Sequence, residues 1–228
     1  MKLILVRHGQ TPSNVAGLLD TAPPGPGLTE IGLRQARAVP AALAAQTVDA
    51  IFASNQTRAQ QTAAPLAAAR GLGVSVLAGL REIAAGDLEM AGDADSVHRY
   101  IGALFSWLDG DLTARIPGGP NGFDFLERYD AAVAAIAENI MNAAGPDGVA
   151  VAVSHGAAIR AWAAIRAAGP ASAESGLGHR HLDNTGAVMV QRADDGAWRV
   201  LEWRTEALGS AIAGGGRLDQ PEASGPTT

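Results

Sequence analysis

The sequence predicts an α/β fold built on a mostly parallel sheet, and three observations lead to it. Short apolar runs bounded by polar residues or glycine alternate with segments of helical periodicity, the pattern of strand and crossover helix. The runs are apolar throughout instead of alternating with polar residues, as expected where both faces of a sheet are covered. Near the C-terminus two further runs flank Asp195-Gly196, a hairpin signal that adds an antiparallel pair and makes the sheet mixed.

The first run, Leu3 to Val6, reads as a buried strand. Leu33, Ala36, Pro40 and Leu43 then follow helical spacing, with Thr29 as N-cap and Pro40 as the site of a kink. Ala50 to Ala53 is the second buried strand, and Ala59, Thr62 and Leu66 mark the helix after it. Val74 to Leu77 is the third. A segment over 86–122 separates it from the fourth, carries one helix on Val97, Ile101, Leu104 and Leu108, and ends in the loop "PGGPNG". Such an excursion is expected to be a lid or a specificity element. Leu126, Tyr129, Val133, Ile136 and Ile140 form the cleanest helical stripe, and Val149 to Val153 is the fourth strand. Ala187 to Gln191 and Ala197 to Arg204 form the hairpin. One domain over 1–206 with a flexible tail over 207–228, rich in Gly, Pro and Ser, accounts for the 228 residues.

Composition narrows the chemistry. With 47% apolar and 18% charged residues the chain reads as globular. The formal charge of −6 gives no reason to expect a nucleic-acid partner. No apolar run approaches the length of a membrane span and no secretory leader pattern precedes the first strand, so a cytoplasmic protein away from membranes is expected. The absence of cysteine removes disulfides, thiolate metal sites and a cysteine nucleophile. Lys2 is the one lysine, so positive charge is carried by guanidinium groups. Nothing fixes the oligomeric state, and a homodimer is compatible with the sequence.

Ligands of open α/β sheets sit beyond the carboxyl ends of the strands. There the chain places Arg7-His8-Gly9 after the first strand, Ser54 and then Arg58 after the second, Arg81-Glu82 after the third, and Ser154-His155-Gly156 after the fourth. Arginine forks match the oxygens of a phosphate dianion. Backbone N–H groups following Gly9 or Gly156 are expected to add to that charge stabilisation, and each glycine permits a close backbone approach. A histidine attacks phosphorus through one ring nitrogen when the other is held as a donor. Glu82 is placed to give a proton to the departing oxygen.

The stretches "RHGQTPSN", "SNQTRAQQTA", "LREIAAGDLE" and "VSHGAAIR", in this order from residue 3 to about 160, resemble the histidine phosphatase superfamily, which includes the cofactor-dependent phosphoglycerate mutases; "DNTGAV" at 183–188 fits its last strand. The resemblance implies a phosphoglycerate mutase-like, three-layer α/β/α sandwich. It implies that His8 becomes phosphohistidine, that Arg7, Arg58 and His155 hold the phosphoryl oxygens, that Asn14 helps line the phosphate site, and that Glu82 is general acid and then base. It implies a chemistry that needs no metal and no cofactor. The expected activity is hydrolysis of a small phosphorylated metabolite, such as a sugar phosphate or a phosphoglycerate derivative.

Three stretches depart from the family pattern. "GLLDTAPPGPGLTEIG" lacks the glutamine-glycine pair found there in the family, "EIAAGDLE" lacks the arginine, histidine and tyrosine that follow the glutamate in mutases, and "PGGPNGFDF" replaces a glycine-glutamate-serine pattern. The second departure favours hydrolysis over mutase-type phosphotransfer. A phospholigand-binding protein without catalysis is the alternative of another class. Several residues read more simply. Glu89 reads as structural or as a support for Glu82, and Ser154 as a hydrogen-bonding bystander. Tyr100, Phe105 and Trp107 read as core before pocket wall. Alternating His179 and His181, if on a strand, would share a face as metal ligands do, yet no acidic cluster accompanies them. Arg180 is a candidate substrate contact.

Overall fold

A computed structural model of the protein describes residues 1–167 and 176–209. Six strands form one sheet: β1 (Lys2–Arg7), β2 (Ala50–Ala53), β3 (Val74–Val76), β4 (Val149–Ser154), β5 (Ala187–Arg192) and β6 (Trp198–Arg204). Their order across the sheet is β3-β2-β4-β1-β5-β6. The first four run parallel, while β5 is antiparallel to β1 and β6 to β5. The sheet is therefore mixed, as expected.

Alternation along β1 divides the core into two layers. Leu3 and Leu5 pack into a cluster with Tyr129 and Ile136 of α5 (Gly122–Ala144) and Trp162 of α6 (Gly156–Trp162). Ile4 and Val6 point the other way, to Val39 of α2 (Glu30–Ala42) and Leu66 of α3 (Thr57–Arg70). Because both faces are covered, the strand has no polar alternation, and each such side chain contributes roughly 1.5–3 kcal/mol by burial. The result is the three-layer α/β/α sandwich.

Local chemistry fixes the helix ends. Thr29 Oγ1 accepts from Gly32 N at 3.0 Å and caps α2. Pro40 lies in the last turn of that helix, which continues to Ala42. Asn121 caps α5 in a reciprocal capping box with Asp124. The segment 86–122 holds α4 (Ala94–Leu108), and its two ends are joined by Asp87 N donating to Pro117 O at 2.9 Å.

Three expectations need correction. The third run is not a buried strand: it ends at Val76, lies at the sheet edge against β2 alone, and leaves Val76 49% exposed. A short helix, α1 (Pro12–Ala16), follows β1 where none was expected, because five residues are too few to show periodicity. Leu177–His179 form a 3₁₀ turn and no strand, so His179 and His181 share no strand face. Of the segment read as a tail, 210–228 lies outside the described residues; Leu208 is buried and its N–H donates to Thr185 O at 3.1 Å.

Candidate active site

Strand register builds the site. In the parallel pair β1–β4, Arg7 stands opposite Ser154, so the next residues, His8 and His155, leave the sheet side by side. Their ring centroids are 5.1 Å apart. Strand β2 flanks β4 with Ala53 opposite Val153, which brings Ser54 Oγ to 2.7 Å from His155 Nε2. Chain connections diverge here, α2 lying on one face of the sheet and α6 on the other, and such a switch point is where α/β sheets bind ligands.

His8 is 4% exposed. Its Nδ1 lies 2.7 Å from the carbonyl oxygen of Gly9; a carbonyl only accepts, so Nδ1 carries the proton and Nε2 keeps a lone pair. Burial first, then the charges of Arg58 and Arg7, hold the His8 pKa well below the ordinary 6.5. For His155 the causes are burial, then His8 and Arg58, with the same direction. Both rings are neutral at pH 7. His155 Nδ1 is buried without a hydrogen-bond partner.

Guanidinium groups surround this pair. Arg7 sits on Leu182 O and 3.2 Å from His181 Nε2, and burial lowers it to about 10, still protonated at neutral pH. A Cβ at position 156 would meet Arg7 Nε at 3.2 Å, so Gly156 makes room for that side chain. Arg58, in the first turn of α3, donates to Asp20 O at 2.8 Å with the Asp20 carboxylate 3.7 Å away. Asp20 also accepts from Ser13 Oγ.

Glu82 is fixed by backbone donors: Oε1 accepts from Ile83 N and Ala158 N, each at 2.9 Å, and Oε2 from Ala157 N at 3.2 Å. Its loop is held from behind by Arg128, which donates to the carbonyls of Gly79, Arg81 and Glu82. Gln56 ties the same loop to the proline-rich one by accepting from Glu82 N and donating to Thr21 O.

Arg7, His8, Asn14, Arg58 and Glu82 line one cavity of about 190 Å³. His155, fully buried, stands behind it against the His8 ring. Asn14 is locked at the third position of α1, its Oδ1 accepting from Thr11 N and Asn184 Nδ2, so its amide nitrogen is what remains for a ligand. The backbone amides expected to serve an anion are otherwise engaged. Gly9 N donates to Thr62 Oγ1, Gln10 N to Gln35 Oε1, and those after Gly156 to Glu82. Gly9 does permit a close approach, but to α2: a Cβ there would come within 2.7 Å of Gly32 O.

Side residues resolve as follows. Ser154 donates to Leu80 O and receives Tyr129 Oη–H, a purely internal link. Glu89 accepts from Thr21 N, Thr21 Oγ1 and Ala22 N and so anchors the proline-rich loop. Trp107 is core, stacked on Phe125, whereas Tyr100 reaches the cavity wall. His179 faces Asp109 and Phe105 while His181 faces Arg7 and Asp183. Arg180 offers its carbonyl to Arg160, so the cavity contact from this turn is His181. Among the described residues no cluster of three or more His, Asp or Glu side chains could hold a metal, and no helix is long and apolar enough to cross a membrane. The sequence reading missed Arg160, His181 and Asp20 as cavity residues; a charged residue one turn beyond a strand-end motif was the available signal.

An α/β switch-point pocket with a neutral, lone-pair histidine among guanidinium groups defines a phosphoryl-handling site. The family model of the histidine phosphatase superfamily (branch 1) matches residues 3–206, and the chain belongs to that family. It is 38% identical over 218 residues to the PE-PGRS family protein PE_PGRS11 of Mycobacterium tuberculosis, covering 90% of this chain but only 37% of that protein. It is 31% identical over 231 residues to the probable phosphoglycerate mutase GpmB of Yersinia pestis, covering 97% and 96% of the two chains. A mycobacterial glucosyl-3-phosphoglycerate phosphatase solved with VO3 superposes with a TM-score of 0.73 at 27% identity, over 90% of this chain and 99% of that one. Family and phosphatase neighbours support a phosphoric monoester hydrolase.

Proposed function

We propose that the protein hydrolyses a small phosphorylated metabolite through a phosphohistidine at His8. The observation that carries this reading is the Nδ1–Gly9 O bond, which leaves Nε2 of a neutral ring for the cavity. Nε2 forms a bond to phosphorus while the ester P–O bond breaks. Arg7, Arg58 and the Asn14 amide take the charge on the phosphoryl oxygens, with His155 supporting the His8 side. Glu82 gives its proton to the departing alkoxide, then takes one from the water that attacks phosphorus and releases the histidine. A short-circuit to mutase chemistry needs an organic acceptor in place of that water. The loop "EIAAGDLE", without the basic and aromatic residues of mutases, speaks for water.

The test is rapid-quench trapping of an acid-labile, base-stable phosphoenzyme with a generic aryl phosphate, together with free phosphate release. We expect a burst of labelled protein in the wild type. His8→Ala is expected to lose turnover by about 10³-fold or more while melting like the wild type. A variant that keeps more than a few per cent of activity would refute the assignment. Phosphate transfer into an isomeric product would mark a mutase, and tight binding without any phosphoenzyme a binding protein.

A further inference from the structure

The cavity wall carries a carboxylate beside the guanidinium assigned to the phosphoryl oxygens. Asp20 Oδ1 lies 3.7 Å from Arg58 Nη1, and the Asp20 side chain is 9% exposed. Arg58 is oriented through its other arm, Nη2 donating to the backbone carbonyl of Asp20 at 2.8 Å, while Nη1 is buried without a hydrogen-bond partner. Asp20 Oδ2 accepts from Ser13 Oγ, and among the described residues Oδ1 accepts from none. Nη1 is therefore the arm left for a phosphoryl oxygen, and an oxygen that accepts from it comes to lie beside Oδ1.

An ionised carboxylate and a fully ionised phosphoryl group are both acceptors only. Side by side they repel, and one proton between them turns the repulsion into a charge-assisted hydrogen bond, as in two carboxylates that share a proton. The other ionisable groups around Asp20 are engaged. Glu82 takes three backbone N–H donors, and Glu89 takes Thr21 and Ala22. Tyr100 of α4 donates to Ile83 O, and His181 Nε2 faces Arg7. His8 Nε2 is the atom that meets phosphorus, and Arg7 and Arg160 are donors without an acceptor to offer. Burial lowers Arg58, and Asp20 is the first of the charges that oppose that shift.

We propose that Asp20 accepts a hydrogen bond from a proton on the phosphoryl group, so that the site takes phosphoesters as monoanions and discriminates against tetrahedral anions that carry no proton. The inference rests on the assignment of Arg58 to the phosphoryl oxygens in the hydrolase reading and adds the ionisation state of the substrate to it. Asp20 acts here as a specificity residue and takes no part in bond making.

The experiment titrates the protein calorimetrically at pH 7 with inorganic phosphate, which carries a proton there, and with sulfate, which carries none. The wild type is expected to favour phosphate by about 10- to 100-fold in Kd, the range of one hydrogen bond to a charged group. Asp20→Asn keeps the size of the side chain, an oxygen for Ser13 and the backbone carbonyl under Arg58, and should bring the ratio close to one, chiefly by binding sulfate more tightly. In turnover, kcat/KM for an alkyl phosphate, with a second pKa of about 6, should fall as pH rises beyond that value, by about tenfold per unit, and the fall should be shallower in Asp20→Asn. A wild-type ratio near one, a ratio unchanged in Asp20→Asn, or a ratio lost in Glu82→Gln instead overturns the proposal while the hydrolase reading stands; the wild-type ratio decides even if Asp20→Asn does not fold. The Kd values need no turnover, so a preference for phosphate that Asp20→Asn removes supports the proposal even where no ester is hydrolysed, an outcome that refutes the hydrolase reading alone. A wild type that binds neither anion overturns both.

Discussion

The two ends of the cavity are built differently. At its floor, His8 and His155 are positioned by strand register: once β1 and β4 pair with Arg7 opposite Ser154, the two rings have little freedom to be elsewhere. At its rim, Asp20, Tyr100, Arg160 and His181 come from separate loops and helices and are held by hydrogen bonds between residues far apart in the chain. Register is propagated by the whole sheet, whereas each rim contact stands on one or two bonds. The floor should therefore fail only when a functional group is removed, and the rim should fail when a supporting bond is removed.

After the loss of His8 itself, the largest effect tests the phosphoryl position between floor and rim. Arg58→Ala removes a preorganised fork from the phosphoryl position, and turnover should drop about 10²- to 10³-fold with the fold retained. Steady-state kinetics with an aryl phosphate reads this directly; a loss below fivefold would mean that Arg58 is only a structural partner of Asp20.

Glu82 separates binding from proton transfer. Glu82→Gln keeps one acceptor oxygen, enough for Ile83 N and Ala158 N, while its amide nitrogen replaces the oxygen that serves Ala157 N, and it has no proton to exchange. Alkyl phosphates need that proton on the leaving oxygen and should slow by about 10²-fold, whereas p-nitrophenyl phosphate, with its stable leaving group, should lose less in phosphoenzyme formation. Equal losses on both esters would assign Glu82 to positioning α6.

The rim is probed by Glu89, which touches no ligand position yet satisfies Thr21 N and Ala22 N. Glu89→Ala should cost about 1–3 kcal/mol of stability, chiefly through the buried Thr21 donors it leaves unsatisfied, and should lower activity less than Arg58→Ala does. Chemical denaturation paired with kinetics measures both. Unchanged stability would show that the proline-rich loop is anchored elsewhere, for example through Gln56.

The same contrast explains what could be read from the sequence. Four apolar runs with ionisable residues at their ends announced the floor, because strand exits in a parallel sheet converge on one edge and need no further information. Capping signals were equally local: Thr29 and the stripe from Leu126 to Ile140 match α2 and α5. The rim was opaque for the opposite reason. Arg160 is held at the cavity by Gly156 O on its own helix and by Arg180 O, which a 3₁₀ turn brings in, and Arg128 supports Glu82 from 46 residues away. No period or motif encodes such pairs. The edge strand β3 misled because an apolar run looks the same whether one neighbour covers it or two.

The smallest expected effect concerns pH and belongs to the floor alone. In the unfolded chain the two site histidines titrate near 6.5, whereas burial holds both well below that value in the folded protein. Between the folded and unfolded pKa values the unfolded state binds more protons, so stability falls as pH falls through that window and is fully present above about 6.5. The wild type should accordingly melt at a lower temperature at pH 5 than at pH 7. A double variant, His8→Gln with His155→Gln, should show a shallower slope whatever its absolute stability, because the protons that drive the slope have no site left to bind. Calorimetry at both pH values gives the comparison. An equal fall in wild type and double variant would place the acid sensitivity outside the floor and would reverse the assignment of which end of the cavity is robust.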